Sequence, residues 1–317
     1  MLLSIVVPMY NEAAGVNQFH SKLLKPSLVD TSIPYEIIYV NDGSNDNTLE
    51  ALQQIAKKDK AVKVVSLSRN FGKEIATTAG IHQSAGDAVI IMDGDGQHPP
   101  TLIGEFIKQW KDGAQVVIGV RNSNQKEGAV KKWGSKLFYK LFNSTSGTEI
   151  VPKSTDFRLI DSTVRTEFMK FPERNRITRG LIDWLGFKRA YVVFDSPARI
   201  AGEASYKTSQ LVKLALNSFV SLSLKPLFMF GWIGIGIITL SIAFGLFIII
   251  EQFILGDPMA LHFSGSVILG TFTSFLVGLV LVSQAMLATY ISHIHVQTQG
   301  RPLFVVDESN SVNIIQE

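Results

Sequence analysis

The segment AVIIMDGDGQHPP, from Ala88 to Pro100, is the stretch that decides the fold of this chain. It begins with a short apolar run typical of a buried strand and continues directly into a loop of carboxylates, glycines and prolines. In the loop, Asp93 and Asp95 stand two residues apart, and the glycines beside them permit a tight backbone. A buried strand followed by a polar loop predicts an α/β sheet that binds its ligands at the carboxyl ends of the strands.

The same order repeats through the first 120 or so residues. Short runs rich in valine and isoleucine alternate with stretches of helical periodicity, which predicts a mostly parallel, Rossmann-like sheet with helices on both faces. The predicted strands are 3–8, 36–40, 62–67, 88–92 and 115–119, and the predicted helices are 12–25, 46–58, 73–84 and 100–111.

Two further polar loops follow predicted strands. The segment 8–12 (PMYNE) follows the first strand, and Asp42, Ser44 and Asp46 follow the second. Capping of the next helix accounts for Ser44 and Asp46. It does not account for Asp42, which we expect to face the Asp93 loop because the carboxyl ends of parallel strands share one edge.

The Asp93 loop suits a hard divalent cation. Magnesium takes one or two protein carboxylates and leaves its other positions to phosphate and water, and Gln97 adds an amide oxygen. Asp-Gly turns are common without any metal. The position at the end of a buried strand, opposite Asp42, is what favours Mg²⁺ or Mn²⁺ here.

The C-terminal third differs in composition. Mean hydropathy is +0.21, and the apolar excess lies in two stretches, 227–250 and 266–290, that contain no Asp, Glu, Lys or Arg. About 20 apolar residues cross a bilayer as a helix, so the sequence predicts a C-terminal two-helix transmembrane hairpin. Two buried core helices are the alternative, which the uncharged faces disfavour.

The positions of lysine and arginine predict the orientation of this hairpin. The segment 251–265 contains neither residue, whereas Lys207, Lys213 and Lys225 precede the spans and Arg301 follows them. The positive-inside rule therefore predicts a multi-pass cell-membrane protein with both termini in the cytoplasm. The predicted parts are a catalytic domain (1–205), an amphipathic helix (206–226), a span (227–250), an extracytoplasmic loop (251–265), a span (266–290) and a tail (291–317).

Composition also excludes several classes of function. Lys and Arg total 30 against 27 Asp and Glu, and this net charge of +3 is too small to indicate nucleic-acid binding. The absence of cysteine excludes disulfides, thiolate catalysis and Cys-ligated zinc. The amphipathic stretch 206–226 fits an interfacial helix on the membrane or a helix packed on the catalytic domain.

Taken together, these motifs resemble those of the family-2 glycosyltransferases with the GT-A fold, and most closely the polyprenyl-phosphate branch that includes bactoprenol glucosyltransferases. The matching segments are IVVPMYNE (5–12), VNDGS (40–44), LSRNFGKE (67–74), MDGDGQHPP (92–100), DFRL (156–159), RGLIDWLGF (179–187) and RIAGEAS (199–205). One departure is that Gly94 and Gly96 stand where relatives commonly carry Ala and Leu or Met. We expect a more mobile loop there.

The resemblance implies a metal-dependent, inverting transfer of a hexose or N-acetylhexosamine from a nucleotide donor, with UDP-glucose the best match, to undecaprenyl phosphate. By analogy, the nucleotide sugar is bound by Pro8, Tyr10, Glu12, Asp42 and Asp93. Mg²⁺ or Mn²⁺ is held by Asp95 and Gln97.

The acceptor is a phosphate monoester, whose second pKa lies near about 6, so it is already an anionic nucleophile and needs cations more than a base. The expected acceptor contacts are Arg121, Lys131, Arg199, Ser205 and Lys207, and the expected catalytic set is Asp95, Arg121, Asp156 and Arg199. Family analogy alone nominates Asp156, which either positions a substrate or acts as a base. Related proteins form homo-oligomers and pass their product to a small membrane flippase for cell-envelope glycosylation.

Two alternative functions remain. A membrane polysaccharide synthase shares the fold, but its Q-x-x-R-W motif is absent, since no tryptophan of this chain follows an arginine. A non-catalytic nucleotide-sugar sensor or scaffold is the other alternative, which the intact Asp95, Gln97 and Arg199 disfavour. Release of UDP that depends on polyprenyl phosphate separates an enzyme from a sensor.

Overall fold

The computed structural model describes residues 1–122, 153–174, 176–197 and 265–314, together with the single positions 236, 239, 243, 246 and 250. The chain divides into two compact units, one formed by 1–207 and 300–317 and the other by 208–299. The predicted acceptor residues Lys131, Arg199, Ser205 and Lys207 lie outside the described residues, as do the predicted helix 206–226 and almost all of 227–264.

The first unit contains a sheet of seven described strands in the order β3-β2-β1-β4-β6-β5-β7. Four of the pairings are parallel, and β6 is antiparallel to both of its neighbours. The mostly parallel sheet predicted from the sequence is therefore confirmed, while the insertion of β6 between β4 and β5 was not predicted. The strands are β1 (Leu3–Met9), β2 (Tyr35–Asn41), β3 (Val62–Ser66), β4 (Ala88–Ile91), β5 (Val116–Arg121), β6 (Ser154–Asp161) and β7 (Arg189–Phe194).

Helices occupy the predicted positions between the strands, with one interruption. The predicted helix 12–25 is divided by a π-helical stretch, and Pro26 lacks the N–H that would continue a regular hydrogen-bond ladder. The elements are α1 (Ala13–Gln18), the π-helix Phe19–Leu24, α2 (Lys25–Val29), α3 (Thr48–Lys58), α4 (Lys73–His82), the 3₁₀ turn Pro100–Leu102, α5 (Ile103–Lys111), α6 (Ser162–Met169) and α7 (Thr178–Trp184).

Both faces of the sheet are buried. Along β1, Ile5 and Val7 point into one apolar cluster and Val6 into the other, because successive side chains of a strand alternate between faces. Helix α4 lies so close to this strand that a Cβ at Gly80 would be 2.3 Å from Val6 Cγ1. Each fully buried aliphatic side chain contributes about 1.5–3 kcal/mol, and this two-sided burial holds the strand ends, and the loops after them, in place.

The C-terminal residues 300–314 return to the first unit and pair with β3. Val64 forms an antiparallel bridge with Val312, and Leu67 forms one with Val306. The sequence predicted only a tail over 291–317, so this pairing is a finding of the structure. It covers the backbone N–H and C=O groups that an edge strand otherwise exposes.

The second unit is represented by helix α8 (Gly265–Thr298), 34 residues long. The predicted second span, 266–290, lies within it. Across the described residues, no helix meets both the length and the hydropathy needed to cross a membrane. The transmembrane hairpin stays a prediction from the sequence.

Candidate active site

The loops that follow β1 and β2 are hydrogen-bonded to each other. The Asp42 N–H donates to the Met9 carbonyl at 2.9 Å, and the Asn11 N–H donates to Ser44 Oγ at 3.0 Å. Asn11 has a φ of +55°, a left-handed conformation that asparagine adopts more readily than most residues. The turn leaves Tyr10 43% exposed at the carboxyl edge of the sheet.

The other polar residues of these two loops hold the loops together. The Glu12 N–H donates to Thr48 Oγ1 at 2.9 Å, and the Ala13 N–H donates to Asp46 Oδ2 at 3.2 Å. Asp46 also accepts the Thr48 N–H at 3.0 Å. Asp46 therefore accepts from the first residue of α3, the local role that the sequence allowed, whereas Ser44 binds the neighbouring loop rather than the helix. Pro8 is half-buried.

Asp42 is buried and binds the loop that follows β3. Its Oδ1 accepts the Phe71 N–H at 2.7 Å and its Oδ2 accepts the Gly72 N–H at 2.9 Å. Burial raises the pKa of Asp42, although these two hydrogen bonds oppose the rise. The next residue, Gly43, has a φ of +61°, and a Cβ there would lie 2.3 Å from the Arg69 carbonyl carbon. Only glycine allows this close approach of the two loops.

A lysine joins the end of β4 to β6. Lys73, the first residue of α4, places its Nζ 2.6 Å from Asp93 Oδ1 and 2.8 Å from Asp156 Oδ2. Burial alone would raise the pKa of Asp156, but the charge of Lys73, with those of Arg179 and Arg158, holds that pKa well below its usual range. Asp156 is therefore ionised throughout the physiological pH range.

Two hydrogen bonds at Gln97 fix the C-terminal end of the predicted metal loop. The Gln97 N–H donates to Asp95 Oδ1 at 2.9 Å, and Ser196 Oγ donates to the Gln97 carbonyl at 3.0 Å. Gly96 has a φ of +80°, which a glycine adopts without strain. Within the described parts of the chain, no three His, Cys, Asp or Glu side chains come together as a metal cluster. The oxygen donors here are one carboxylate and one amide, both half-buried.

His98 is buried and is hydrogen-bonded to the backbone of the same loop. Its Nδ1 accepts the Asp93 N–H at 2.9 Å, and its ring stacks on Phe157 with the ring centroids 5.2 Å apart. Burial lowers the pKa of His98, so the neutral ring carries its proton on Nε2. His98 thus holds the backbone of Asp93 rather than a ligand.

A small cavity of about 10 Å³, with room for about one water molecule, opens beside Asp156. Its polar lining includes Lys73, Glu74, Thr178 and Arg179. Glu74 accepts the Thr178 N–H at 2.8 Å, and burial raises the pKa of Glu74, with the negative charge of Asp156 adding to the rise. The Thr178 hydroxyl is buried and has no hydrogen-bond partner among the described residues. The cavity therefore offers both donors and acceptors to a polar molecule.

The wall of this cavity is held by a buried ion pair. Arg158 is 1% exposed, and its guanidinium donates to both carboxylate oxygens of Asp183, at 2.7 and 3.2 Å. Removing one partner of such a pair is strongly destabilising because a buried charge is left without compensation. Arg158 thus has a structural role beside Asp156.

Arg121 is placed differently from the other predicted site residues. It ends β5, which β6 separates from β4. Strands β4 and β5 are both antiparallel to β6, so Arg121 lies at the same edge of the sheet as the Asp93 loop. Its Nε is buried and makes no hydrogen bond within the part of the chain that the structure describes.

The structure thus brings Asp93 and Asp156 together through a residue that sequence reasoning left without a role. Lys73, Glu74 and Arg179 all lie in segments quoted for the family resemblance, 67–74 and 179–187, so their positions carried a signal. However, neither segment by itself shows that Lys73 contacts Asp156 on β6, which lies 83 residues further along the chain.

Comparison with known proteins places this chain among glycosyltransferases. The model of glycosyl transferase family 2 matches residues 4–167. The uncharacterized glycosyltransferase sll0501 of Synechocystis sp. is 38% identical over 306 residues, which are 96% of this chain and 95% of that protein. The uncharacterized glycosyltransferase YkcC of Bacillus subtilis is 34% identical over 309 residues, 98% of this chain and 94% of that protein. The SfII prophage-derived bactoprenol glucosyl transferase of Shigella flexneri is 33% identical over 318 residues, 99% of this chain and 100% of that protein.

Proposed function

This chain belongs to glycosyl transferase family 2, and from that premise we propose that it transfers a sugar from a nucleotide donor to the phosphate of a polyprenyl lipid. The observation that carries the proposal is the bridge from Lys73 to Asp93 and Asp156. It joins the donor-side loop to the cationic groups of Lys73 and Arg179 and the hydroxyl of Thr178, which offer charge and hydrogen bonds to an anionic acceptor.

On the donor side, Pro8, Tyr10 and Glu12 bind the nucleotide together with Asp42 and Asp93. Exposed Tyr10 offers a ring for the base. Asp42 acts chiefly by holding the loop after β3, since both of its oxygens accept backbone N–H groups.

The donor set at Asp95 and Gln97 fits a hard divalent cation. Both side chains offer oxygens, and Mg²⁺ or Mn²⁺ takes one or two protein oxygens and completes its shell with phosphate and water. When bound, the ion supplies charge neutralisation at the leaving diphosphate. Ser196 and the Asp95 carboxylate orient the Gln97 backbone and so shape the loop that would hold it.

The acceptor phosphate is the nucleophile. One of its oxygens forms a bond to the anomeric carbon while the bond from that carbon to the nucleoside diphosphate breaks, which inverts the configuration. The acceptor is already an anion, so Asp156 positions a substrate rather than removing a proton. Arg121, whose buried Nε has no hydrogen-bond partner among the described residues, holds the acceptor phosphate together with Lys131, Arg199, Ser205 and Lys207.

The proposed setting is the cell membrane. The uncharged stretches 227–250 and 266–290 form a hairpin anchor with both termini in the cytoplasm. The name of the Shigella flexneri relative supports undecaprenyl (bactoprenol) phosphate as acceptor and glucose as the sugar, with UDP as the carrier. Homo-oligomerisation and delivery to a small flippase complete the proposal.

The test is a transfer assay with the purified full-length protein in detergent, undecaprenyl phosphate, Mn²⁺ and a panel of UDP- and GDP-sugars. We expect a glycolipid product and release of the nucleoside diphosphate that depends on the lipid. Asp95→Asn is expected to lower turnover by about 100-fold, as loss of a strong electrostatic contact does. Asp112→Asn, in the loop after α5, is the matched control.

The outcomes separate the alternatives. Nucleotide binding without any lipid-dependent release would indicate a sensor, and a growing polysaccharide chain would indicate a synthase. Turnover of Asp95→Asn equal to that of Asp112→Asn would contradict the metal assignment.

A further inference from the structure

We propose that the C-terminal segment 305–312 positions the nucleoside side of the active site, with Ser311 as the residue that transmits the contact. The inference rests on the proposed function, because it takes the loops after β1, β2 and β3 as the nucleoside side. Neither the family match, which ends at residue 167, nor the sequence motifs assign a role to this segment.

The segment is bonded to β3 by its main chain. Val64 and Val312 exchange two backbone hydrogen bonds, of 2.9 and 2.8 Å. The Asp307 N–H donates to the Ser66 carbonyl at 2.8 Å, and the Ser68 N–H donates to the Val305 carbonyl at 2.9 Å. The contacts therefore continue past the end of β3 into the loop that holds Asp42.

Ser311 lies where the backbone pairing between the described C-terminal residues and β3 is interrupted. A 3₁₀ turn at Glu308–Asn310 carries the main chain away from β3, and the Asn310 carbonyl accepts from Gln53 Nε2 instead. The Ser66 N–H donates to Ser311 Oγ at 3.0 Å. A side-chain hydroxyl thus replaces the missing main-chain acceptor.

A chain of hydrogen bonds leads from Ser311 to the loops of the active site. Ser66 Oγ accepts from Asn41 Nδ2 at 3.2 Å, and Asn41 Oδ1 accepts the Ser44 N–H at 3.2 Å. Ser44 Oγ in turn accepts the Asn11 N–H, next to Tyr10. The two asparagines and two serines therefore join the C-terminal segment to the loop that presents the exposed tyrosine.

A second, apolar connection leads to Asp42. Phe304, Val306 and Phe71 all pack against the buried cluster that contains Leu67. The backbone N–H of Phe71 is one of the two that bind the Asp42 carboxylate. Fixing this loop from outside lowers the entropy that nucleotide binding would otherwise lose in ordering it.

The test compares Ser311→Ala with Ser309→Ala in the full-length protein. Ser309 is exposed on the same turn and its hydroxyl donates to Asp307 Oδ1, so its variant controls for a change of serine to alanine. Ser311→Thr retains the hydroxyl and serves as the rescue variant. UDP binding in the presence of Mn²⁺ is measured by titration calorimetry, and KM is measured separately for the UDP-sugar and for undecaprenyl phosphate.

The Ser311 hydroxyl also donates to the Asp307 carbonyl at 2.7 Å. We expect Ser311→Ala to raise the Kd for UDP and the KM for the UDP-sugar by about 2- to 10-fold, because the Ser66 N–H loses its acceptor. The KM for the lipid and the behaviour of the Ser309→Ala and Ser311→Thr variants should stay at wild-type values. Amide hydrogen exchange over residues 66–72 should become faster in Ser311→Ala alone, because that hydroxyl restrains the loop.

Unchanged UDP binding in Ser311→Ala would overturn the inference, even if the variant melts at a lower temperature, since a purely structural contact affects stability without affecting nucleotide affinity. That result would leave the proposed function standing. Wild-type protein that binds no UDP would instead overturn the proposed function and the inference with it.

Discussion

The two halves of the active site are held together by different forces. On the side of β1, β2 and β3, the loops are joined by hydrogen bonds to the backbone, and the buried carboxylate of Asp42 receives two N–H groups. On the side of β4 and β6, ion pairs hold the residues together, because the ammonium of Lys73 lies between the carboxylates of Asp93 and Asp156. Backbone hydrogen bonds keep the loops in one conformation, whereas the ion pairs of Lys73 can rearrange when a charged substrate binds.

This contrast fits the two substrates. A nucleoside is recognised by shape and hydrogen bonds, and a rigid set of loops reduces the entropy lost on binding. In the proposed reaction, two phosphate groups are brought together on the other side, where the ammonium of Lys73 between two carboxylates can exchange partners without moving the backbone. We therefore expect changes on the first side to act on affinity and changes on the second to act on turnover.

The largest effect is expected from Asp156→Asn, which removes charge from the second side and keeps the volume. Turnover should fall by about 100-fold, the size seen when a preorganised electrostatic contact is lost, while the Kd for UDP stays within about 2-fold. Steady-state kinetics and titration calorimetry measure the two quantities, and Asp30→Asn on an exposed turn is the control. An equal effect of Asp156→Asn on both quantities would remove the distinction between the two sides.

A smaller loss, about 10-fold in turnover, is expected from Lys73→Met, because two carboxylates then lose their common counter-charge in a partly exposed site. Lys170→Met is the control, since Lys170 pairs with Glu167 on the surface and such pairs contribute little. If Lys73 acts through Asp156, the double variant Lys73→Met, Asp156→Asn should be no worse than Asp156→Asn alone. Additive losses would show that the two residues act independently.

The same lysine variant has a predicted pH dependence. The pKa of Asp156 is depressed in the folded protein, so the stability that its ionised form contributes is present above the ordinary carboxyl pKa of about 4 and is lost as the pH falls through the lower folded value. Without Lys73, the pKa of Asp156 should be less depressed, because burial is then opposed only by the charges of Arg179 and Arg158. When kcat is measured as a function of pH, its fall at acid pH should therefore move to higher pH in Lys73→Met. The same fall should be absent in Asp156→Asn.

The smallest effect on catalysis is expected from Gly43→Ala on the first side. The added Cβ would lie 2.3 Å from the Arg69 carbonyl carbon at a φ of +61°, so we expect a loss of about 1–3 kcal/mol in the free energy of unfolding and weaker UDP binding. Gly104→Ala is the matched control. Nothing lies within 4 Å of its Cβ position, and alanine in helix α5 should stabilise by about 0.5–1 kcal/mol. The measurement is the melting temperature of each variant. Equal melting temperatures for Gly43→Ala and Gly104→Ala would contradict the close approach of the two loops.

Much of the first side could be predicted from the sequence, because its information is local. Each of the first five strands is a short apolar run, and Asp42 and the Asp93 loop were placed by the rule that ligands bind after such strands. The part that Asp42 plays could not be predicted in this way. A carboxylate after a strand is equally consistent with a ligand contact and with a loop contact, and only the positions of the Phe71 and Gly72 N–H groups distinguish them.

The second side was less predictable. Family resemblance alone indicates Asp156, and Lys73 lies in a matching motif that implies no role for it. Strand β6, which carries Asp156, enters the sheet antiparallel between β4 and β5. No periodicity in the chain shows where a strand will insert, because that choice depends on which sheet edge is available once the others have formed.

By itself, the sequence determined the parallel strands β1 to β5, the helices between them, the polar loops at their carboxyl ends and the two uncharged stretches of the C-terminal third. These features follow from apolar periodicity and turn chemistry over a few neighbouring residues. The tertiary structure alone decided the insertion of β6, the bridge from Lys73 to Asp156 and the pairing of the C-terminal segment with β3. These contacts join residues 83 and 245 positions apart, and such partners meet only when the whole sheet has brought their strands together.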